Sequence, residues 1–375
     1  MTPMKILVFN WQDIRNPLAG GAEVHLHRIF EVLASQGHEV TLLCSRFPGS
    51  TAEEWIDGIR VVRRGGRYLF NFRALWHYWT RVRAREFDVV VDDLNKIPFF
   101  TPLFVRRPLV CIIHHLFGNS IFVEAILPFA LYVHLAERVI PQVYRHTPIA
   151  AVSPSTVEDL ESKGIPRRNL SIIPNCVDHA RYRITGEPKS HTPLVGYLGR
   201  LKKYKSIDHL LKAFAIVRRH VPDAGLVILG EGDARPQLEQ LAERLEIRSA
   251  IEFTGFVDEE EKIRRLQRMH VVANPSAKEG WGLTVIEANA CGVPVVASDV
   301  PGLRDAVRDD ETGLLYDYGD VEELAEKLLL VLRDEHLRSR LSRGALNFAA
   351  GFRWEHSADA MAELLQSAVS SGRDR

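Results

Sequence analysis

The sequence predicts two α/β domains, each built around a parallel sheet. The chain has 375 residues, which is more than a single hydrophobic core usually accommodates. Short apolar segments of strand length alternate with helix-like segments, as expected when helices cover both faces of a parallel sheet. Both halves also open with a strand, a glycine-containing loop and a helix. We therefore expect the second half to repeat the architecture of the first.

The first half contains five apolar segments that we predict to be buried strands, because they lack the alternation of a half-exposed strand. After the first of them, a segment with apolar residues at the spacing of one helix face follows Gly20-Gly21, and Gly37 is suited to end that helix. The predicted strands are Lys5–Phe9, Glu39–Leu43, Phe87–Asp92, Leu109–Ile113 and Ile149–Val152.

The second half restarts with an apolar strand at 194–199. The polar, proline-containing stretch 186–193 before it is predicted to link the domains, which then cover residues 1–185 and 186–353. In open α/β sheets ligands bind beyond the carboxyl ends of the strands, so we expect the site in the loops there. The further predicted strands are Gly225–Leu229, Ile251–Thr254, Val271–Ala273 and Pro294–Ala297.

The composition is that of an ordinary globular protein, with 46% apolar and 26% charged residues. Four widely spaced cysteines form no metal-binding spacing and favour a reducing compartment. The N-terminus leads directly into a strand without a signal peptide. The longest apolar stretch, Ile121–Leu135, is too short to span a bilayer. We therefore expect a cytoplasmic protein, with at most a peripheral contact at the inner face of the membrane.

The most informative pattern is a pair of glutamates, Glu279 and Glu287, separated by seven residues that include Gly280 and Gly282. A helix is predicted to begin at Leu283–Thr284, where its free N–H groups would favour an anion. One carboxylate precedes this anion-binding turn and the other lies a helical turn further along. The arrangement suits a ligand with hydroxyl groups at both ends and phosphate between them, as in a nucleotide-sugar.

This pattern resembles the Glu-x7-Glu motif of the family 4 retaining glycosyltransferases, which have the GT-B fold. The resemblance extends over nearly the whole chain. It implies two Rossmann-like domains facing each other across a cleft, with the acceptor mainly in the first and the donor mainly in the second. It also implies that Glu279 binds sugar hydroxyls, that Glu287 binds the ribose, and that the C-terminal helix within 354–375 crosses back to the first domain.

A second glycine loop begins at Gly199, between a predicted strand and a predicted helix. Cations at such a strand end can neutralise a diphosphate leaving group. Arg200 offers a bidentate fork and Lys205 a point charge, and both match the family pattern Gly-Arg-Leu…Lys, whose residues bind the donor diphosphate. Lys202 and Lys203 are interpreted as solvated charges.

Two further positions are predicted in the first half. Gly20 and Gly21 at a helix start let the backbone approach a phosphate or sugar closely, and in relatives this loop touches donor and acceptor. His114 and His115 follow a predicted strand directly. Adjacent side chains point to opposite faces, so the two cannot share a role, and the resemblance favours His114 as the residue near the transferred sugar.

The resemblance also places two strand-end glycine turns near the nucleobase, although the conformational freedom of glycine would explain these turns nearly as well. One departure from the family is Pro301-Gly302, where relatives usually have Gly-Gly. The predicted catalytic residues are His114, Arg200, Lys205 and Glu279. The predicted donor-binding residues are Gly20, Gly21, Arg200, Lys205, Gly230, Gly255, Phe256, Glu279, Gly280, Trp281, Gly282, Leu283, Thr284 and Glu287.

No Asp-x-Asp pair occurs in the chain. Transferases that hold the diphosphate through a divalent metal usually need such carboxylates. We therefore expect no cofactor and no metal requirement. The resemblance implies retention of the anomeric configuration by front-face attack, in which the departing phosphate takes the proton of the acceptor.

Residues 63–85 hold seven arginines, six aromatic residues and no acid. Basic and aromatic residues interleaved on a helix suit a membrane surface or an anionic lipid carrier. An amphipathic helix packed on the domain, with its arginines in water, is the alternative. No recognition motif supports nucleic acid as a partner.

The predicted function is transfer of a hexosyl group from a nucleoside diphosphate sugar to a cell-envelope glycan, a glycolipid or a similar acceptor. Two alternatives stay open. One is a catalytically silent GT-B subunit, although the presence of Arg200, Lys205, Glu279 and Glu287 argues against it. The other is an enzyme of the same fold with a different reaction, such as a sugar-nucleotide epimerase or a phosphorylase.

Overall fold

The computed structural model describes residues 2–66, 70–82, 87–95, 97–118, 121–124 and 127–373. The chain forms two compact units, of which the first comprises Met1–Asn175 with Trp354–Arg375 and the second Cys176–Arg353. The boundary between the units therefore lies ten residues before the predicted one at residue 185. In the structure, the backbone N–H of Thr185 donates to Gln267 at 3.0 Å, so that this residue is bound to the second unit.

Every strand predicted from the sequence is present, and four more are found. The four additional strands, β3, β4, β8 and β14, are short and lie at or near the edges of the sheets. The strands are β1 (Lys5–Phe9), β2 (Glu39–Cys44), β3 (Glu53–Ile56), β4 (Ile59–Arg63), β5 (Val89–Leu94), β6 (Leu109–Ile113), β7 (Ile149–Ala151), β8 (Leu170–Ile172), β9 (Leu194–Leu198), β10 (Gly225–Leu229), β11 (Ile251–Gly255), β12 (Val271–Asn274), β13 (Val295–Ser298) and β14 (Gly313–Tyr316).

Helices follow most of the strands, and a π-helical turn at Tyr78–Val82 extends α2. In the described part of the chain, no helix combines the length and the apolar character needed to cross a bilayer. The helices are α1 (Gly21–Ser35), α2 (Phe70–His77), α3 (Ile121–Glu124), α4 (Leu127–Val143), α5 (Pro154–Ser162), α6 (Ile207–His220), α7 (Arg235–Arg244), α8 (Glu259–Arg268), α9 (Leu283–Ala290), α10 (Leu303–Ala306), α11 (Val321–Arg333), α12 (Glu335–Ala349) and α13 (Trp354–Arg373).

The second unit is a six-stranded parallel sheet in the order β11-β10-β9-β12-β13-β14. This is the doubly wound order. Successive strands are added outward from β9 to β11 on one side, and from β12 to β14 on the other, so the order reverses between β9 and β12. The first unit has the order β3-β4-β2-β1-β5-β6-β7-β8, with only β3 and β4 antiparallel. Its reversal point lies between β1 and β5. Ligands in such folds bind at the carboxyl ends of the strands beside these reversal points.

The hydrophobic core of the first unit shows which elements cover one face of its sheet. Leu7 and Phe9 of β1 belong to the same buried cluster as Ala74 of α2 and Ala130 and Val133 of α4. The C-terminal helix α13 also belongs to this unit.

The interpretation of 63–85 as one basic helix is wrong at its start. Arg63 is the last residue of β4 and is buried, and its guanidinium donates to both carboxylate oxygens of Asp13 at 2.7 and 2.9 Å. The buried charge is compensated by a bidentate partner, as required in a protein interior. Arg63 is therefore unavailable to a membrane, and helical structure starts only at Phe70. Residues 67–69 and 83–86 lie outside the described residues.

Candidate functional site

Loops at the carboxyl ends of β9, β10 and β11 pack backbone against backbone. The N–H of Gly199 donates to the carbonyl oxygen of Leu229 at 3.0 Å, and that of Gly230 donates to Gly255 at 3.0 Å. A Cβ atom on Gly230 would lie 2.0 Å from the oxygen of Gly199. Gly230 is therefore required for this close approach, whatever the loops bind.

The loop after β9 brings Lys205 to Glu279, which follows β12 on the other side of the reversal point. The ammonium group of Lys205 contacts Oε1 of Glu279, and the hydroxyl of Ser276 donates to the same oxygen at 2.8 Å. Burial, the largest single influence, lowers the pKa of Lys205, but the charges of Glu279 and Tyr204 and the hydrogen bond to Glu279 together raise it. The positive charge of the exposed Arg200 lowers the pKa of Lys205. Two cations and a carboxylate thus meet at the carboxyl edge of the sheet.

The backbone beside Lys205 is held in an unusual conformation. Ser206 has φ +50° and ψ +39° and precedes the first residue of α6. Non-glycine residues rarely adopt this left-handed region, which is also found here at four described positions outside the predicted site.

Glu287, on α9, belongs to a second network of polar side chains. Its Oε1 atom accepts from the hydroxyl of Tyr182 at 3.1 Å and from the ammonium of Lys262 at 3.0 Å. Its Oε2 atom is buried without a hydrogen-bond partner. Burial and the charges of Glu287 and Glu259 raise the pKa of Tyr182, so its hydroxyl stays protonated. The network holds Glu287 in place and leaves one acceptor oxygen unused.

The helix after the glycine loop begins as the sequence predicted. Leu283 is the first residue of α9, Gly282 precedes it, and Thr284 lies in its first turn. Gly302, at the departure from the family pattern, has φ +85°, and a Cβ atom there would lie 2.3 Å from the oxygen of Glu279. Glycine at 302 therefore lets the turn before α10 close on the Glu279 backbone.

The remaining predicted donor residues differ in exposure. Gly280 is half-buried. Trp281 is buried with its indole N–H unpartnered, and its ring lies 5.2 Å from that of Phe352. Phe256, next to Gly255 at the end of β11, has 88% of its surface exposed. Such an exposed aromatic ring beside a strand end is available for stacking.

In the first unit, Gly20 and Gly21 stand at the start of α1. Gly20 has an extended backbone, and its N–H donates to Oε2 of the buried Glu23 at 2.7 Å. The amide of Asn95, beyond the end of β5, donates to the other oxygen of Glu23. The glycine loop is thus fixed by a side chain three residues into the helix, the arrangement of a capping box.

His114, at the end of β6, is buried between two polar side chains. Its Nε2 atom lies 2.8 Å from Oδ1 of Asp93, and its ring lies 5.2 Å from the edge-on ring of His25. Burial, and then the charge of His114, lowers the pKa of His25 to about 3, so His25 is neutral. The Nε2 atom of His25 is 3.0 Å from the carbonyl of Ile173. The ring of His115 instead packs edge-on against a phenylalanine ring.

Asp92, next to Asp93 on β5, is fully buried. It accepts hydrogen bonds from the hydroxyls of Tyr144, at 2.6 Å, and Thr101. Burial raises the pKa of Asp92 to about 6 in spite of these bonds. The hydrogen-bond partners of Asp92 are thus both hydroxyl groups.

Among the described residues, one cluster could hold a metal ion. It consists of His27 and Glu31 on α1 and Asp57 in the turn between β3 and β4. None of the three belongs to the predicted site.

Comparisons with known proteins identify the family of this chain. The sequence model of a protein family described as glycosyl transferases group 1 matches residues 180–348. The model of a second family, described as glycosyltransferase family 4, matches residues 19–181. The chain belongs to glycosyltransferase family 4. Together the two models span the glycine loops of both units and the Glu-x7-Glu segment.

Curated relatives of this family differ in how much of the chain they match. D-inositol 3-phosphate glycosyltransferase of Corynebacterium urealyticum is 38% identical over 49% of this chain. The chain aligns with only 45% of that relative's length, and with 50% of the corresponding protein of Nocardia farcinica. Glycogen synthase of Mycobacterium tuberculosis is 28% identical over 99% of this chain and 96% of its own.

Solved structures confirm the GT-B fold. Sucrose-phosphate synthase of Thermosynechococcus elongatus has a TM-score of 0.82 at 21% identity, covering 98% of this chain and 100% of its own. Anabaena HepE in complex with UDP-glucose has a TM-score of 0.78 at 21% identity, covering 97% and 100%. These similarities establish the architecture of this family 4 chain.

Several neighbours of the predicted residues were not identified from the sequence. Lys262 and Tyr182 contact Glu287 from positions 25 and 105 residues away, and Asp93 contacts His114 from 21 residues away. No local pattern reveals such contacts. The contact of Glu23 with Gly20 could have been predicted from the sequence, because a glutamate three residues after the N-cap is typical of a capping box.

Proposed function

We propose that this chain transfers a hexosyl group from a nucleoside diphosphate sugar to a hydroxyl group of a glycan, glycolipid or similar acceptor. The observation that carries the proposal is the meeting of Lys205 and Glu279 at the reversal point between β9 and β12. A cation and a carboxylate at one strand edge suit a diphosphate and the adjoining sugar hydroxyls, respectively.

The two glutamates divide the donor between them in this proposal. Arg200 and Lys205 neutralise the diphosphate, and Glu279 accepts hydrogen bonds from the sugar. Glu287 accepts from the ribose with its unpartnered Oε2, because a buried acceptor without a partner is costly unless a ligand satisfies it. Backbone groups near Gly230 and Gly255, with the exposed ring of Phe256, contact the base.

The transfer proceeds with retention of configuration by front-face attack. The bond from the anomeric carbon to the phosphate oxygen breaks, the acceptor oxygen bonds to the same face, and the departing phosphate takes the acceptor proton. His114 and the Gly20-Gly21 backbone position the sugar and acceptor. A first donor to test is UDP-glucose, the ligand of the structurally similar HepE.

No metal is needed in this proposal, because Arg200, Lys205 and the N-terminus of α9 supply the positive charge. Turnover should be the same in excess EDTA as in its absence. Loss of turnover in EDTA that manganese restores would overturn this part. Glu279→Gln should weaken transfer without accumulating a glycosyl-enzyme, and a hexose mass on Glu279 would contradict the front-face account.

The decisive experiment is nucleotide release from a panel of UDP-, GDP- and ADP-sugars, with acceptor candidates and with Glu287→Gln beside wild type. Glu326→Gln, at an exposed position of α11, is the matched control. Release from one donor by wild type and the control, but not by Glu287→Gln, supports the proposal. Failure of every donor both to turn over and to stabilise the protein against heat would overturn it.

The acceptor in this proposal includes lipid-linked glycans, for which the aromatic and basic residues of 70–82 provide a membrane contact. Phe72, Arg73 and Trp76 of this segment are exposed. Aromatic and basic side chains together suit the interface of a bilayer with anionic headgroups.

A further inference from the structure

Large apolar side chains are exposed along one face of α4. They lie four residues apart, which places them in a row on the helix surface. The opposite face of α4 carries Ala130, Val133 and Ile140, which are buried in the first unit. The exposed row consists of Leu127, Leu131, Leu135 and Val139. Leu127 is 70% exposed.

A second exposed row lies on α2 and the π-helical turn after it. Phe72, Trp76 and Trp79 are all exposed. The buried residues Phe70 and Ala74 of α2 belong to the same hydrophobic cluster as the buried face of α4. Because α2 and α4 cover the same cluster, their exposed rows lie on the same outer side of this unit.

Among the described side chains of α2 and of residues 97–143, the exposed charges are all positive. In the sequence from 96 to 136 the only acid is Glu124, whose side chain lies outside the described residues. Arg73, Arg106 and Arg138 are exposed. The one acid in the sequence of α4, Glu137, is turned inward, where its carboxylate accepts from two backbone N–H groups at 2.6 and 2.8 Å.

We propose that the exposed rows of α2 and α4, with the arginines around them, form a surface that docks on an anionic phospholipid bilayer. We call it the α2–α4 face. Leucine and tryptophan side chains enter the headgroup region while arginines contact phosphates. Monomeric soluble proteins rarely expose large apolar patches, and such patches usually mark interaction sites. The positive charge and the lack of exposed acids along α4 favour a bilayer as the occupant.

This inference extends beyond the segment 70–82 and does not depend on the donor site. In contrast to the α2–α4 face, the exposed Trp55 of β3 follows two acids, Glu53 and Glu54. Trp55 and Trp76 are both 69% exposed. The acids beside Trp55 are paired with arginines, and no other described side chain of β3 is large, apolar and exposed. Trp55 is therefore an equally accessible tryptophan outside the two exposed rows.

The test is flotation of the full chain with vesicles of phosphatidylcholine alone or mixed with phosphatidylglycerol, at low salt. The variants are Leu131→Gln with Leu135→Gln, and Trp76→Ser. The controls are Leu330→Gln on α11, where Leu330 is 47% exposed like Leu131, and Trp55→Ser. Thermal unfolding of each variant shows whether it is folded, and light scattering gives its oligomeric state.

Wild type and both controls should float with the anionic vesicles. The double leucine variant should bind roughly tenfold or more weakly, and Trp76→Ser several-fold more weakly, because less apolar surface enters the bilayer. Absence of flotation with anionic vesicles, or equal binding by folded variants and controls, would overturn the proposal. A wild-type dimer that becomes monomeric in the leucine variant would instead make this face an interface between copies.

Discussion

The two units of this GT-B chain both place carboxylates near the carboxyl ends of their central strands, but with different partners. In the first unit, Asp92 and Asp93 are bonded to hydroxyls and a histidine. In the second, Glu279 and Glu287 each contact a lysine. In the function we propose, Arg200 and Lys205 of the second unit are the groups that neutralise the donor diphosphate. In the same proposal, His114 of the first unit positions the sugar and acceptor hydroxyl groups instead.

The largest loss of activity is expected when the charge of Lys205 in the second unit is removed. Lys205→Met should lower kcat by roughly 10²–10³-fold, because the leaving diphosphate loses a charge placed in a largely buried site. Lys202→Met is the control, since Lys202 is partly exposed and pairs with the exposed Asp233 rather than with Glu279. Equal activity of both variants and wild type would remove Lys205 from the mechanism.

A smaller effect is expected in the first unit, where Asp93 orients His114. Asp93→Ala should lower kcat about tenfold, since the ring loses the partner of Nε2. Asp93→Asn should recover most of the activity, because its carbonyl can still accept from the ring. If the asparagine variant is as slow as the alanine variant, the charge of Asp93 matters rather than the orientation it imposes.

Replacement of Lys262 should weaken binding of the donor and leave the rate of the chemical step unchanged. Lys262→Met frees Glu287 from one of its two partners and should raise the KM for the donor by roughly five- to tenfold at similar kcat. Lys327→Met, at a lysine paired with Glu323 on the surface of α11, is the control. A fall in kcat with unchanged KM would contradict a role limited to holding Glu287.

The smallest effect on activity is expected for Asp92, whose contribution is to stability. Its folded pKa of about 6 lies above the unfolded value of about 3.9. The folded state therefore binds a proton that the unfolded state does not, and the free energy of unfolding rises as pH falls from about 6 to 4. Asp92→Asn should lack this contribution. Urea unfolding of both proteins across that range measures it, and parallel pH dependences would contradict the assignment.

The sequence predicted the fold better than the side-chain networks. Buried parallel strands appear as uninterrupted apolar runs, so the central strands were identified, whereas β3 is partly exposed and β8 has only three residues. Lys205 and Glu279 belong to recognisable sequence motifs, so both could be named as candidates. Their counterparts Lys262 and Asp93 carry none, because their positions depend on how distant segments of the chain pack together.

Arg63 shows again that packing between distant segments cannot be predicted from a local pattern. A basic, aromatic stretch predicted one surface helix from Arg63, yet the structure buries Arg63 against Asp13, fifty positions earlier. The exposed row on α4, by contrast, lies largely in a stretch that was identified from the sequence only as apolar and too short to span a bilayer. Whether such a row faces the core or solvent is decided by packing, and in α4 it faces solvent.

The most direct test of the central claim is calorimetric binding of the donor found by the panel and of its nucleoside diphosphate, to wild type, Glu279→Gln and Glu287→Gln. If Glu287 binds the ribose and Glu279 the sugar, Glu287→Gln weakens both ligands by a similar factor. Glu279→Gln then weakens only the donor, and the nucleoside diphosphate binds as well as to wild type or better, because Lys205 is released. The opposite pattern, or equal weakening of both ligands by both variants, would contradict the division of the donor between the two glutamates.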